Sequence, residues 1–63
     1  MRNHLTSLRT ERGWTQADLA DRAGVSRQSI NAIEKDKFDP SLPVAFRIAR
    51  AFEKTVEQVF IEE

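Results

Sequence analysis

Apolar residues recur at intervals of three or four positions in short stretches of this chain, which is the spacing of an amphipathic helix. Leu5 and Leu8 form the first such pair, and Gly13 is placed to end that helix in the left-handed conformation. The pattern predicts a first helix over roughly residues 3–12. Two glycines and two prolines supply most of the breaks between these stretches, and we find no internal repeat.

Capping signals define the two helices that follow. Thr15 and Asp18 have the spacing of a capping box, with Asp in place of the usual Glu, and they predict a second helix that begins at Gln16. After a turn of about three to four residues, Ser26 is a good N-cap for a third helix over roughly 27–36.

Two more helices complete the pattern. Ser41 caps a fourth helix, and Pro43 is tolerated in its first turn because no intrahelical donor is lost there. We expect most of the core to come from the apolar stripe of this helix, which consists of Leu42, Ala45, Phe46, Ile48, Ala49 and Phe52. Thr55 and Gln58 repeat the capping-box spacing and predict a short fifth helix with Val56, Val59 and Phe60. The sequence therefore predicts an all-α, compact five-helix fold.

Chain length and composition limit the class of protein. Sixty-three residues, 40% of them hydrophobic, give one small domain over 1–63 and too little chain for most enzymes. There is no cysteine and only one histidine, His4, so we expect no metal, no cofactor and no catalytic activity. The absence of a long apolar run and of an export signal favours a cytoplasmic protein that does not contact a membrane.

The second and third predicted helices have the pattern of a helix-turn-helix unit. Ala20 is the small residue needed where the two helices cross, and Gly24 supplies the sharp turn between them. Val25, Ile30 and Ile33 are the apolar residues that would pack the unit together. The second helix of such a unit can lie in the major groove of DNA, because a groove about 12 Å wide admits one helix with its side chains.

The outward face of the third helix carries polar residues. At about 100° per residue, Ile30 and Ile33 share the inward side, whereas Glu34 lies near its boundary and suits an internal ion pair. The outward side holds Gln28, Asn31, Ala32 and Lys35, with Arg27 beside them in the first turn. These residues would be an ordinary solvated surface if the helix had no ligand.

Their chemistry fits DNA. Arg27 has the planar fork that matches guanine, Gln28 can form two hydrogen bonds with adenine, and Ala32 can contact the methyl group of thymine. We include Asn31 as a further candidate base reader. The candidate contacts to the DNA backbone on this helix and just beyond it are Ser29, Lys35 and Lys37.

A series of short motifs runs along nearly the whole chain: Leu8-Arg9, Glu11-Arg12-Gly13, Thr15-Gln16-Ala17-Asp18-Leu19-Ala20, Gly24-Val25-Ser26-Arg27-Gln28-Ser29-Ile30, Ile33-Glu34-Lys35, Pro40-Ser41-Leu42 and Ile48-Ala49-Arg50-Ala51-Phe52. In these motifs the chain resembles the Cro and phage-repressor type of helix-turn-helix protein, the xenobiotic response element (XRE) family. The likeness is greatest to short members without a sensor domain. It implies a lambda-repressor-like fold and homodimers that bind operator DNA.

The resemblance also assigns roles to single residues. It implies that Thr15 and Gln16 contact phosphates at the start of the second helix. It gives the base-reading role to Arg27, Gln28 and Ala32. Arg9 and Glu34 match a buried ion pair of the family, which we interpret as structural. Removing one partner of such a pair typically costs about 3–5 kcal/mol.

Two features depart from the family pattern. Glu53 and Lys54 replace the usual glycine and aliphatic residue before the last helix, and a left-handed Glu53 would be strained by about 1 kcal/mol or more. The formal net charge is zero and the pI is near 6.6, whereas nucleic-acid-binding domains commonly have a pI above about 9. We therefore expect weak non-specific binding to DNA with a strong dependence on salt.

A homodimer would give the specificity that one domain lacks. A two-fold dimer places two recognition helices about 34 Å apart on successive major grooves, and its symmetry predicts a palindromic operator. The candidate interface residues are Val56, Val59, Phe60, Ile61, Phe38, Val44 and Phe52. In short members of the resembled family the chain ends can pair as an antiparallel ribbon, which here would join residues 2–5 to 60–62.

The sequence thus favours a sequence-specific transcriptional regulator, a homodimeric repressor that binds double-stranded DNA and occludes a promoter. An alternative is a protein-interaction module or antitoxin of the same fold, which binds a partner protein. The zero net charge and the acidic residues Glu57, Glu62 and Glu63 favour that alternative. An enzyme ranks third, because no acid-base pair or nucleophile constellation is present.

Overall fold

The computed structural model describes residues 1–62, and Glu63 of the predicted acidic C-terminus lies outside them. Five helices follow one another: α1 (Leu5–Glu11), α2 (Gln16–Ala23), α3 (Arg27–Glu34), α4 (Leu42–Ala51) and α5 (Val56–Val59). The predicted all-α architecture of five helices is confirmed. Within the described part, no helix is both long and apolar enough to cross a bilayer.

Side-chain caps fix where the last four helices begin. The hydroxyl of each N-cap residue accepts a hydrogen bond from the backbone N–H three positions later; these residues are Thr15, Ser26, Ser41 and Thr55. At α2 and α5 the third helical residue returns the bond, so both predicted capping boxes are formed. Such a cap stabilises a helix by about 1 kcal/mol.

Backbone hydrogen bonds join the N-terminal segment to the segment that follows α5. Asn3 forms an isolated antiparallel bridge with Phe60, and backbone hydrogen bonds of 2.8 and 2.9 Å lie on either side of it. The bridge explains why α1 begins at Leu5 rather than near residue 3, and why α5 ends at Val59. The predicted ribbon is therefore reduced to one bridge within a single chain, and residues 1–62 contain no sheet.

Left-handed residues end the first four helices. The φ angles are 70° at Gly13 and Gly24 and 58° at Asp36 and Glu53. At each site this residue and the next donate backbone hydrogen bonds to carbonyls of the preceding helix, which is the Schellman arrangement. The sequence left the conformation of the turn at Glu53 open, and the structure gives Glu53 the strained left-handed form. The left-handed Asp36 was not predicted, and it ends α3 at Glu34 instead of near residue 36.

One hydrophobic core joins all five helices. Its buried members are Leu5, Leu8, Leu19, Ala20, Ala23, Ile30, Ile33, Ala45, Ile48, Ala49, Phe52, Val59 and Phe60. Helix α2 packs against both α3 and α4. Trp14 covers the edge of this core by stacking on Phe52, with the ring centroids 5.5 Å apart. The helix-turn-helix unit α2–α3 is therefore supported from behind by α4.

Two residues of the predicted α4 stripe lie outside the core. Leu42 is 62% exposed and Phe46 is 45% exposed. The buried positions of α4 and its C-cap follow the spacing i, i+3, i+4, i+7 from Ala45 to Phe52, and they form a complete inward stripe. Leu42 and Phe46 point about 70° and 110° away from the middle of that stripe. The prediction was wrong for these two residues because the buried stripe includes only some of the apolar residues in this stretch of sequence.

Candidate nucleic-acid interface

The first turn of α3 is open to solvent, while the rest of the helix is anchored from behind. Ile30 and Ile33 are 0% exposed. Ser26 holds the helix start by accepting a hydrogen bond of 3.1 Å from the backbone N–H three residues on. Arg27 and Gln28 are both exposed, and neither is tied up by a hydrogen bond or ion pair within residues 1–62. Their donors and acceptors are therefore available to an outside ligand.

The remaining candidates on α3 and just after it differ in their exposure to solvent. Ser29, Asn31 and Ala32 are half-buried, whereas Lys35 and Lys37 are exposed beyond the end of the helix. The Oδ1 atom of Asn31 is enclosed and has no hydrogen-bond donor within the described residues. Asn31 must rotate its amide before this oxygen can meet a base edge.

The start of α2 is held by the reciprocal capping box. Thr15 Oγ1 accepts from the backbone N–H of Asp18 at 3.1 Å, and the carboxylate of Asp18 accepts from the N–H of Thr15 at 2.9 Å. Hydrogen bonds to the Asp18 carboxylate, first from the backbone N–H of Thr15 and then from its hydroxyl, lower the pKa of Asp18. Thr15 is exposed, but Gln16 is half-buried and its side chain turns toward α3. The backbone of this first turn, rather than the Gln16 side chain, is thus free to face an anion.

Glu34 is the centre of a network that joins α1, α2 and α3. Its Oε2 accepts from Nε of Arg9 at 2.8 Å, and its Oε1 accepts from Nη2 of Arg9, Nε2 of Gln16 and Oγ1 of Thr6, each at 3.1 Å. Nη1 of Arg9 donates to the carbonyl of Trp14 at 3.0 Å. The side chains of Arg9 and Glu34 are only 15% and 6% exposed, so the predicted internal ion pair is present.

The network keeps its central pair ionised. Burial by itself would raise the pKa of Glu34, but hydrogen bonds from Arg9, Gln16 and Thr6 outweigh it, and the pKa is lowered. The hydrogen bond to Glu34 raises the pKa of Arg9. Because both charges are satisfied, the network fixes α3 relative to α1 and α2.

The sequence did not predict two members of this network. Thr6 precedes Arg9 by one helical turn, and that spacing could have indicated that the two share the face of α1 turned toward Glu34. Gln16 was expected as a phosphate contact, and no sequence signal distinguished that role from an internal one.

The candidate dimer residues divide into two groups. Phe52 and Val59 are 0% exposed and Phe60 is 5% exposed, so the core of the same chain already covers them and they cannot present a surface to a partner in this conformation. The other candidates keep some surface: Phe38 is 49% exposed, and Val44, Val56 and Ile61 are half-buried. Leu42 and Phe46, which the sequence predicts in the core, are apolar residues exposed to solvent.

Comparison with known proteins supplies the family. The family model described as helix-turn-helix matches residues 5–59. An uncharacterized HTH-type transcriptional regulator of Methanocaldococcus jannaschii is 52% identical over the whole chain and 96% of its own length. The immunity repressor protein of Bacillus phage phi105 is 36% identical over 94% of this chain, which spans 41% of that protein.

A solved structure agrees in fold. The restriction-modification controller protein C.AhdI from Aeromonas hydrophila superimposes with a TM-score of 0.81 and 28% identity, over 86% of this chain and 82% of that one. The sequence match, the structural match and the exposed α3 lead to the same assignment. The chain belongs to the helix-turn-helix family of transcriptional regulators, of the Cro and phage-repressor (XRE) type.

Proposed function

We propose that this protein is a sequence-specific regulator that binds a palindromic operator as a homodimer and represses transcription by occluding a promoter. The observation that carries the proposal is the exposed first turn of α3, where Arg27 and Gln28 are free of internal partners. The buried Ile30 and Ile33 and the network at Glu34 hold this turn in place. The similarity of the chain to a phage immunity repressor supports the repressor role.

Base reading falls to the outward side of α3. Arg27 would donate two hydrogen bonds to guanine and Gln28 would pair with adenine, each contact contributing about 1–3 kcal/mol of discrimination. Ala32 offers a methyl group at the edge of the same surface. Asn31 takes a lesser role, because its Oδ1 is enclosed until the amide rotates.

Phosphate contacts would fix the register of α3 in the groove. At α2 they come from the hydroxyl of Thr15 and the free backbone N–H groups of the first turn, where the helix dipole favours an anion. Gln16 contributes through its backbone, since its side chain donates to Glu34. Ser29 within α3, and Lys35 and Lys37 beyond its end, are the further proposed contacts to the DNA backbone.

The dimer interface is proposed on the apolar surface that the monomer leaves open. Leu42 and Phe46 lie one turn apart on α4, and Phe38 precedes them in the connector. Val44, Val56 and Ile61 remain as half-buried candidates. The domain measures 28 Å along its longest axis, a size that lets two adjacent copies place their α3 helices about 34 Å apart.

Selection of bound duplexes from a random pool, followed by affinity measurements at two salt concentrations, tests the proposal. We expect an enriched inverted repeat and an affinity that falls steeply with salt. Arg27→Ala should relax the preference at one base position in each half-site without changing stability. Lys54→Ala removes the same charge from an exposed site with no assigned role and should leave the preference intact. If no repeat is enriched, the proposal fails.

A protein-interaction module is the second candidate. The zero net charge favours it, because such a chain has no general attraction to polyanions. In that case the selection yields no repeat, and Arg27→Ala leaves binding to any duplex unchanged.

A further inference from the structure

A basic cleft lies between the C-terminal halves of α2 and α4. Arg22, Arg47 and Arg50 line it together with Ala23 and Ala51, and its volume is about 240 Å³. All three arginine side chains are exposed. None of their nitrogens lies within 4.0 Å of a carboxylate oxygen among residues 1–62. Asp18, one turn before Arg22 on α2, attracts the charge of Arg22 from a longer distance. The cleft therefore gathers three positive charges, of which only that of Arg22 is partly compensated.

Helix-end electrostatics account for only part of this cluster. Arg22 and Arg50 stand in the last turns of α2 and α4, where a cation interacts favourably with the helix dipole. Arg47 lies one turn before Arg50 on the same face of α4, outside the last turn, and adds like-charge repulsion. In a chain whose net charge is zero, this local excess indicates an anionic ligand.

Arg22 is already ordered for such a ligand. Its guanidinium lies over the ring of Trp14, with the central carbon 4.3 Å from the ring centroid. Stacking uses the face of the guanidinium and leaves the N–H groups at its edge free to donate in pairs to a carboxylate. An arginine held in this way loses less conformational freedom when it binds. The small side chains of Ala23 and Ala51 leave room for a ligand between the arginines.

We propose that this cleft binds an acidic segment of another protein, in which neighbouring carboxylates are held by Arg22, Arg47 and Arg50. The location favours a protein over DNA. The proposed phosphate contacts on α2 are in its first turn, about 10 Å along the helix from Arg22. Helix α4 carries none of the residues proposed to contact DNA. A partner in the cleft would therefore leave the outward side of α3 free.

Peptide titration of the full chain tests this proposal without any DNA. The probes are a capped hexaglutamate peptide and, as the uncharged control, hexaglutamine, both at low salt. We expect hexaglutamate alone to shift the Arg22, Arg47 and Arg50 side-chain Nε–H signals in NMR spectra. The emission of Trp14, the one tryptophan in the chain, should change in the same titration because Arg22 stacks on its ring.

Charge-matched variants locate the site. Arg47→Gln/Arg50→Gln should bind hexaglutamate about tenfold more weakly, whereas Arg2→Gln/Lys54→Gln, which loses the same charge at exposed sites elsewhere, should bind as the parent does. Unchanged urea midpoints show that both variants fold. Equal weakening in the two variants, or NMR shifts away from the cleft, would overturn the proposal.

A DNA measurement separates the two classes of ligand. Neither double variant should lose affinity for a random-sequence duplex beyond the general effect of its two lost charges, which is the same in both. If Arg47→Gln/Arg50→Gln is selectively weakened, the cleft is a phosphate contact and the protein-binding proposal is wrong. A chain that fails to bind any duplex but still binds hexaglutamate contradicts the DNA-binding function alone.

Discussion

Replacing Glu34 by alanine removes the acceptor that four hydrogen bonds share. Arg9, whose side chain is only 15% exposed, then keeps its charge with only the Trp14 carbonyl as a partner. Loss of one member of a buried pair costs about 3–5 kcal/mol. A domain of this length has a total stability of roughly 3–9 kcal/mol. The substitution therefore removes a third or more of that stability and lowers Tm by about 12 °C or more.

Urea unfolding followed by circular dichroism measures this loss. Glu11→Ala, which removes an exposed carboxylate from the same kind of secondary structure, is the control and should change stability by less than about 0.5 kcal/mol. The double variant Arg9→Met/Glu34→Leu should lose less than the sum of its single variants, because no unpaired charge remains. If Glu34→Ala unfolds at the same urea concentration as Glu11→Ala, the network does not hold α3 in place.

Three further results are expected. Glu53→Gly should raise the free energy of unfolding by about 0.5–1 kcal/mol in the same urea assay, since it relieves a φ of 58°; a loss of stability would contradict the strain argument. Stability should fall below about pH 4.3, because the pKa of Glu34 is lower in the folded than in the unfolded state, and Glu34→Gln should flatten that fall. Phe46→Ser should weaken self-association in sedimentation runs without changing the monomer's stability, whereas an unchanged monomer–dimer equilibrium would exclude Phe46 from the interface.

Local signals in the sequence were sufficient to predict the five helices and the outward position of Arg27 and Gln28. Capping residues act within one turn, and the periodicity of Ile30 and Ile33 fixes the opposite face of α3. The same local rules failed where contact with a distant segment sets the end of a helix. Asn3 has a place in the predicted first helix, but its pairing with Phe60 removes it from α1.

The candidate site was harder to predict than the fold because each of its side chains has several possible contacts. On sequence grounds, Gln16 at the start of a helix suits a phosphate contact as well as an internal one. In the structure its side-chain amide donates a hydrogen bond to Glu34, eighteen positions later. Phe46 in α4 and Phe52 just after it are both large and apolar, and only the orientation of the helix against its neighbours exposes the first and buries the second. Such choices depend on tertiary packing, which periodicity alone does not contain.

We propose that Arg27 reads one base from the exposed first turn of α3. A double-mutant cycle on the selected duplex tests it directly, pairing Arg27→Ala with replacement of the guanine in each half-site. For the parent protein the base change should weaken binding by about 1–3 kcal/mol per half-site, and for Arg27→Ala it should have almost no effect. Equal losses in both proteins would mean that Arg27 does not touch that base, and the account of the interface would be wrong.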